Sequence, residues 1–103
     1  MENILLKGFN DVTVTIREHI SELAKTAHGR LSERIGDCSL ELHLKGLHRV
    51  DNKAALPKEK YELHARLHVK GKAYTTQEVD YDLIKAVHAV LENIDREVEH
   101  SGK

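Results

Sequence analysis

From Cys38 the chain alternates with a period of two. Cys38, Leu40, Leu42 and Leu44 fall on one side, and Ser39, Glu41, His43 and Lys45 on the other. The alternation returns at Tyr61, Leu63, Ala65, Leu67 and Val69, offset by Glu62, His64, Arg66, His68 and Lys70. Each run predicts a strand with one buried and one wet face. Two flanking stretches carry helical spacing instead. Ile16, Ile20, Leu23, Ala27 and Leu31 recur every three or four residues, which predicts a helix from about residues 13–15 to about 33. Thr13 stands at its N-cap, Thr15 and Glu18 offer an overlapping capping box, and Gly36-Asp37 ends it. Ile84, Val87, Leu91, Ile94 and Val98 form a second such stripe, capped by Asp80 or Asp82.

Shorter signals complete the order. Ile4 to Gly8 reads as a first strand, and Lys70-Gly71 as a tight turn into a fourth strand over 72–79. The stretch 46–59, basic and holding the single proline Pro57, reads as a long connection. A strand, a helix and an adjacent strand require a right-handed crossover and a parallel pair, whereas short turns make the later pairs antiparallel. Two amphipathic helices and a sheet apolar on one face pack economically only with both helices on that face. The expectation is an α+β domain over residues 1–103, a βαβββα two-layer sandwich with a four-stranded mixed sheet.

Composition narrows the function. Apolar content is 40% and charged content 32%, with four aromatic residues and no Trp. The core is therefore aliphatic, and aromatic platforms for stacking bases are not expected. No apolar run approaches the roughly 20 residues that span a bilayer. The start, MENILLKGF, is too short and polar for a secretory signal. Cys38 is the only cysteine, which favours a reducing compartment. A cytoplasmic protein without a membrane partner is expected.

Catalysis finds little in the sequence. Cys38 lies in the inward phase of its strand, as a small buried hydrophobe would. No nucleophile elbow, phosphate-cradling glycine loop or paired-carboxylate signature is present. The reading is a non-enzyme with no cofactor and no small-molecule substrate. His64 and His68 are four residues apart on one strand, about 13 Å by strand rise, too far to share a metal. Chelation would need His43 directly across from one of them and a carboxylate such as Glu41 or Glu62. No recognised ligand spacing supports that, so no metal is expected. Imidazoles that gain charge as pH falls toward about 6 would instead add to a basic segment.

That segment is the clearest charge feature. Residues 45–72 hold eight Lys and Arg against three Asp and Glu, a local net of +5 in a chain of net −1. The compensating acid lies at both ends, including Glu92, Asp95 and Glu97 on the last helix. A positive block of this kind suits phosphate. On a wheel of about 100° per residue, Arg17, Ser21, Lys25 and His28 share one polar flank of the first helix. Glu18, Glu22 and Glu33 share the other.

Two strings carry a family resemblance. Gly8-x-x-x-Val12-Thr13-x-x-Ile16-Arg17-Glu18 follows the first strand. Asp82-Leu83-Ile84-Lys85-Ala86-Val87 opens the last helix, with Leu91 and Ile94-Asp95-Arg96 beyond it. In this order the strings resemble the ribosome hibernation-promoting factor family, also called ribosome-associated inhibitors or sigma-54 modulation proteins, over about residues 3–98. Leu23, Thr26 and Asn93 stand where that family often has basic residues, and the chain resembles the short form. The resemblance implies the βαβββα fold and a protein that binds the small ribosomal subunit, where mRNA and tRNA would sit, and silences translation in resting bacteria. By position it assigns Arg17 and Arg96 to contact. With the charge pattern, the expected rRNA phosphate contacts are Arg17, Lys25, Lys45, Arg66, Lys70, Lys85 and Arg96. They would position the domain without reading sequence. The alternative is a protein–protein or homodimerisation module that uses the open sheet face or an edge strand.

Overall fold

The computed structural model describes residues 3–50 and 58–101. The elements run β1 (Ile4–Lys7), α1 (Val14–Ile35), β2 (Cys38–Val50), β3 (Lys58–Val69), β4 (Lys72–Asp80) and α2 (Leu83–Ser101). The sheet order is β1-β2-β3-β4, with β1 parallel to β2 and the other neighbours antiparallel. This is the mixed four-stranded α+β sandwich that the periodicities predict.

Local chemistry sets the ends of the helices. The Thr13 hydroxyl accepts the Ile16 backbone N–H at 3.4 Å, so Thr13 is the N-cap and the Thr15 alternative is not used. Gly36 closes α1 with φ +82, a backbone region that costs glycine nothing. Both aspartates proposed for α2 act there. Asp82 Oδ1 accepts the N–H groups of Ile84 at 3.0 Å and Lys85 at 3.3 Å, while Asp80 Oδ1 accepts the N–H of Asp82 at 2.9 Å.

The core lies on one side of the sheet. Leu40, Leu42, Leu63, Ala65 and Leu67 are buried against Ile20, Ala24, Ala27 and Leu31 of α1 and against Val87, Val90, Leu91, Ile94 and Val98 of α2. Helix α1 lies over β1 and β2, and α2 over β3 and β4. A fully buried Leu or Ile contributes about 1.5–3 kcal/mol. Packing therefore dominates over the exposed ion pairs, each under about 1 kcal/mol. One pair does bridge the two helices, Arg34 Nη1 to Asp95 Oδ1 at 2.8 Å.

Two expectations need correction. Ile16 heads the apolar stripe of α1 but is 37% exposed, because it walls an open cleft with Leu44, Tyr61, Tyr81 and Leu83. Ala24, outside the predicted stripe, is buried in its place. Much of the 46–59 connection is strand: β2 runs on to Val50, and β3 begins at Lys58. Residues 51–57, with Pro57, lie outside the described residues. The register moves from Leu44 opposite Leu63 to Gly46 opposite Glu62, so Lys45 is an extra residue and β2 bulges there.

Gly8, just after β1, has φ +79, and a methyl group on it would strike the Leu44 carbonyl oxygen. Replacing it therefore combines a left-handed backbone penalty with a clash against a core strand. Gly8→Ala should cost roughly 2–5 kcal/mol, read as a lower urea midpoint with unchanged slope.

Candidate nucleic-acid interface

The wet face of the sheet is built in rows by strand register. One row runs Lys7, His43, His64, Gln77, and the next Leu5, Glu41, Arg66, Thr75. Ser39, His68 and Ala73 form a third. Lys45, on the wet side of β2 at the bulge, joins Glu41, His43, His64 and Arg66 around a shallow recess of about 210 Å³. Lys7 Nζ lies 3.9 Å from Glu41 Oε2, and His64 Nε2 donates to Glu62 Oε2 at 2.7 Å. Imidazole, guanidinium and ammonium groups are thus interleaved with two carboxylates. Such a face can hold phosphate oxygens at several points without distinguishing bases.

The expected contacts fall on three surfaces. Lys45 and Arg66 are exposed and share the recess, and Lys70 is exposed at the β3–β4 turn beside Lys72. Arg17 and Lys25 belong to α1, in the layer on the opposite side of the sheet. Arg17 is half-buried, whereas Lys25 is exposed and makes a long 3.9 Å pair with Glu22. Their flank lies on the side of α1 away from α2, since Arg34 reaches α2 from the other side. On that same flank His28 Nε2 donates to the Cys38 carbonyl at 2.9 Å. Lys85 is exposed on the first turn of α2. Arg96 is exposed in a groove of about 680 Å³ with Tyr74, Thr76, Asn93, Glu97 and His100. The basic flank of α1 and the basic sheet face are consequently not one flat surface; the β1 edge separates them.

Sequence reasoning passed over Lys7, which stands in the His43–His64 row and is exposed. Its signal is the alternation of Leu5 and Lys7 against Ile4 and Leu6, readable only once β1 is paired with β2. Lys60 was also missed; its Nζ lies 5.1 Å from the centroid of the Tyr81 ring. Two of the positions where the resembling family is often basic have other tasks here. Leu23 packs against the core. Asn93 donates to Thr76 Oγ1 at 3.3 Å and to Glu78 Oε1 at 3.0 Å, tying α2 to β4. Thr26 is exposed.

His43 does sit directly across from His64. Among the described residues, however, no group of three or more His, Cys, Asp or Glu side chains is gathered as a metal site. A partly apolar cleft of about 610 Å³ lies where the helices begin, walled by Val12, Ile16, Leu44, Tyr61, Tyr81 and Leu83, with Asp11 and Asp82 also lining it. No helix among the described residues is long and apolar enough to cross a membrane.

The fold is that of the ribosome hibernation-promoting factors, the class that the two sequence strings resemble. Among solved structures, the N-terminal domain of Thermus thermophilus Protein Y matches with a TM-score of 0.57 at 17% identity, over 96% of each chain. A ribosomal subunit interface protein from Coxiella burnetii matches with a TM-score of 0.58 at 17% identity, over 97% of this chain and 98% of that one. At such identity the likeness is one of fold. No family model and no curated protein matches the sequence.

Cys38 is buried, and its thiol is pushed above the ordinary 9.0 by burial first and by the Asp37 carboxylate second. The unfolded chain therefore loses this proton at lower pH than the folded one. The thiol's contribution to stability is full below 9.0 and is lost as pH rises through the higher folded value. Urea unfolding near pH 8 and near pH 10 should show a larger loss for the wild type than for Cys38→Ala, by up to about 1 kcal/mol. Equal losses would show that the folded thiol titrates normally.

Proposed function

We propose that this protein binds the small ribosomal subunit through its rRNA and restrains translation in stress or stationary phase, as a non-catalytic cytoplasmic factor. One observation carries the reading: a fold that matches a ribosomal subunit interface protein over 97% of this chain leaves one sheet face uncovered among the described residues and sets Lys7, Lys45 and Arg66 on it. The acidic outer face of α2 directs RNA to other surfaces. Contacts of this kind release counterions, so affinity should fall steeply as salt rises.

A second reading, a protein–protein or homodimerisation module, is favoured by the cleft at the helix starts, where Ile16 and Tyr81 are 37% and 51% exposed. Its interface would be largely apolar and would respond little to salt.

Co-sedimentation with small ribosomal subunits at low and moderate salt separates the two. Salt-sensitive binding is expected, and charge reversal locates the docking surface. Arg17→Glu with Lys25→Glu tests the helix flank, and Lys45→Glu with Arg66→Glu tests the sheet face; the pair at the interface should weaken binding at least about tenfold. No binding at either salt, together with a concentration-dependent dimer in sedimentation equilibrium, would put the second reading first.

A further inference from the structure

The sheet ends in two edges that differ in kind. β1 is four residues long, which leaves little backbone for another strand to pair with. β4, from Lys72 to Asp80, is nine residues long and pairs with β3 without a break in register. Among the described residues no strand lies on its outer side. Its outward backbone N–H and C=O groups therefore form a row about 30 Å long that is open to pairing. Sheets commonly blunt such an edge with a proline, a bulge or a lysine in mid-strand. β4 has none of these. Ala73 to Gln77 carries no charge, and Thr75, Thr76 and Val79 suit extended backbone. Helix α2 does not close over the edge, since a groove of about 680 Å³ runs between Tyr74 and Thr76 on β4 and Arg96, Glu97 and His100 on α2.

The order of residues along β4 says what fits it. Laid antiparallel on a second copy about a two-fold axis at Thr76, the strand pairs along its whole length. Lys72 then meets Asp80 of the second copy, and this ion pair occurs at both ends of the ladder. Tyr74 meets Glu78, Thr75 meets Gln77, and Thr76 meets its own equivalent. Val79, 47% exposed in the single chain, is covered beside Ala73. No like charges face each other, the arrangement that cross-strand pairing rewards. The pairs also match by side. Ala73, Thr75, Gln77 and Val79 are exposed, whereas Tyr74, Thr76, Glu78 and Asp80 are half-buried on the helix side. An axis moved to Thr75 or Gln77 would leave two residues of β4 outside the ladder at one end of each strand.

We propose that β4 is a self-association edge: two copies of this chain pair antiparallel through Lys72–Asp80, with the two-fold axis at Thr76. The product is one continuous sheet with the helices of both copies on the same side. Both wet faces then point the same way, each with its own recess at Lys45 and Arg66. The pairing does not depend on ribosome binding, and it is separate from the cleft at the helix starts.

Sedimentation equilibrium of the full chain, taken to about 1 mM, reads even a millimolar contact. The wild type should show a reversible monomer–dimer equilibrium. Thr75→Lys with Gln77→Lys sets lysine against lysine on both sides of the axis and should raise the dissociation constant at least about tenfold. Thr75→Lys with Gln77→Glu sets opposite charges at the same two places and should restore the wild-type constant. Lys72→Glu, which faces Asp80 at both ends, reads the same loss independently if two lysines beside Arg66 and His64 unfold the chain. Melting temperatures taken at micromolar concentration report whether each variant folds. A wild type that stays monomeric throughout would overturn self-pairing and leave the edge to a strand of another protein. A dimer that survives both the lysine pair and Lys72→Glu would overturn it too; loss of that dimer on Ile16→Glu would place the contact at the cleft. Dissociation by the lysine pair without recovery in the Lys/Glu variant would overturn the register about Thr76.

Discussion

Everything in this domain depends on β2 and β3 being apolar on one face only. Their inward residues, from Leu40 through Leu44 and from Leu63 through Leu67, are at most 9% exposed. A register slip of one residue would put Glu41, His43, His64 and Arg66 into that core, which fixes the pairing. The same asymmetry forces both helices to one side. It also leaves the other side wet, and the sequence fills that side with cations and imidazoles. Fold and candidate interface are two faces of one alternation.

Most of the architecture was legible because period-two and helical runs are long here and sharply bounded. What escaped has identifiable causes. The extra residue Lys45 inverts the phase of β2, so the alternation that ends at Leu44 reads as the start of a loop when it is a bulge within a longer strand. Helical spacing shows which face of α1 is apolar but not how closely the neighbouring elements cover each residue on it, hence the exposed Ile16 at the cleft and the overlooked Ala24. The charges themselves were visible, yet their sorting was not. Which cations share a surface is decided by strand register and by the layer each element occupies. Lys45 and Arg66 consequently meet while Arg17 and Lys25 stand apart from them.

The polar groups divide into those committed to the fold and those left over. Asn93 spans α2 and β4, His28 holds the start of β2, and Arg34 joins the helices through Asp95. These contacts fix elements whose packing already determines the fold. Among the described residues the structure records no such contact for Lys45, Arg66 and Lys70, and Lys7 makes only a long 3.9 Å pair with Glu41. A surface that keeps such charges exposed retains them at little energetic cost, and they remain available for an anionic partner.

The two helices do not grip the sheet equally. Helix α1 buries Ile20, Ala24, Ala27 and Leu31, two of them with almost no side chain to lose from water, and β1 beneath it is four residues long. Helix α2 buries Leu83, Ala86, Val87, Val90, Leu91, Ile94 and Val98 over the paired length of β3 and β4. The molecule is thus a sturdy β2–β3–β4–α2 unit with a lighter β1–α1 segment laid on it. Opening free energies need not be uniform across such a domain. On that difference in burial, the amide protons of the first segment should exchange in excursions that leave the long hairpin and its helix closed.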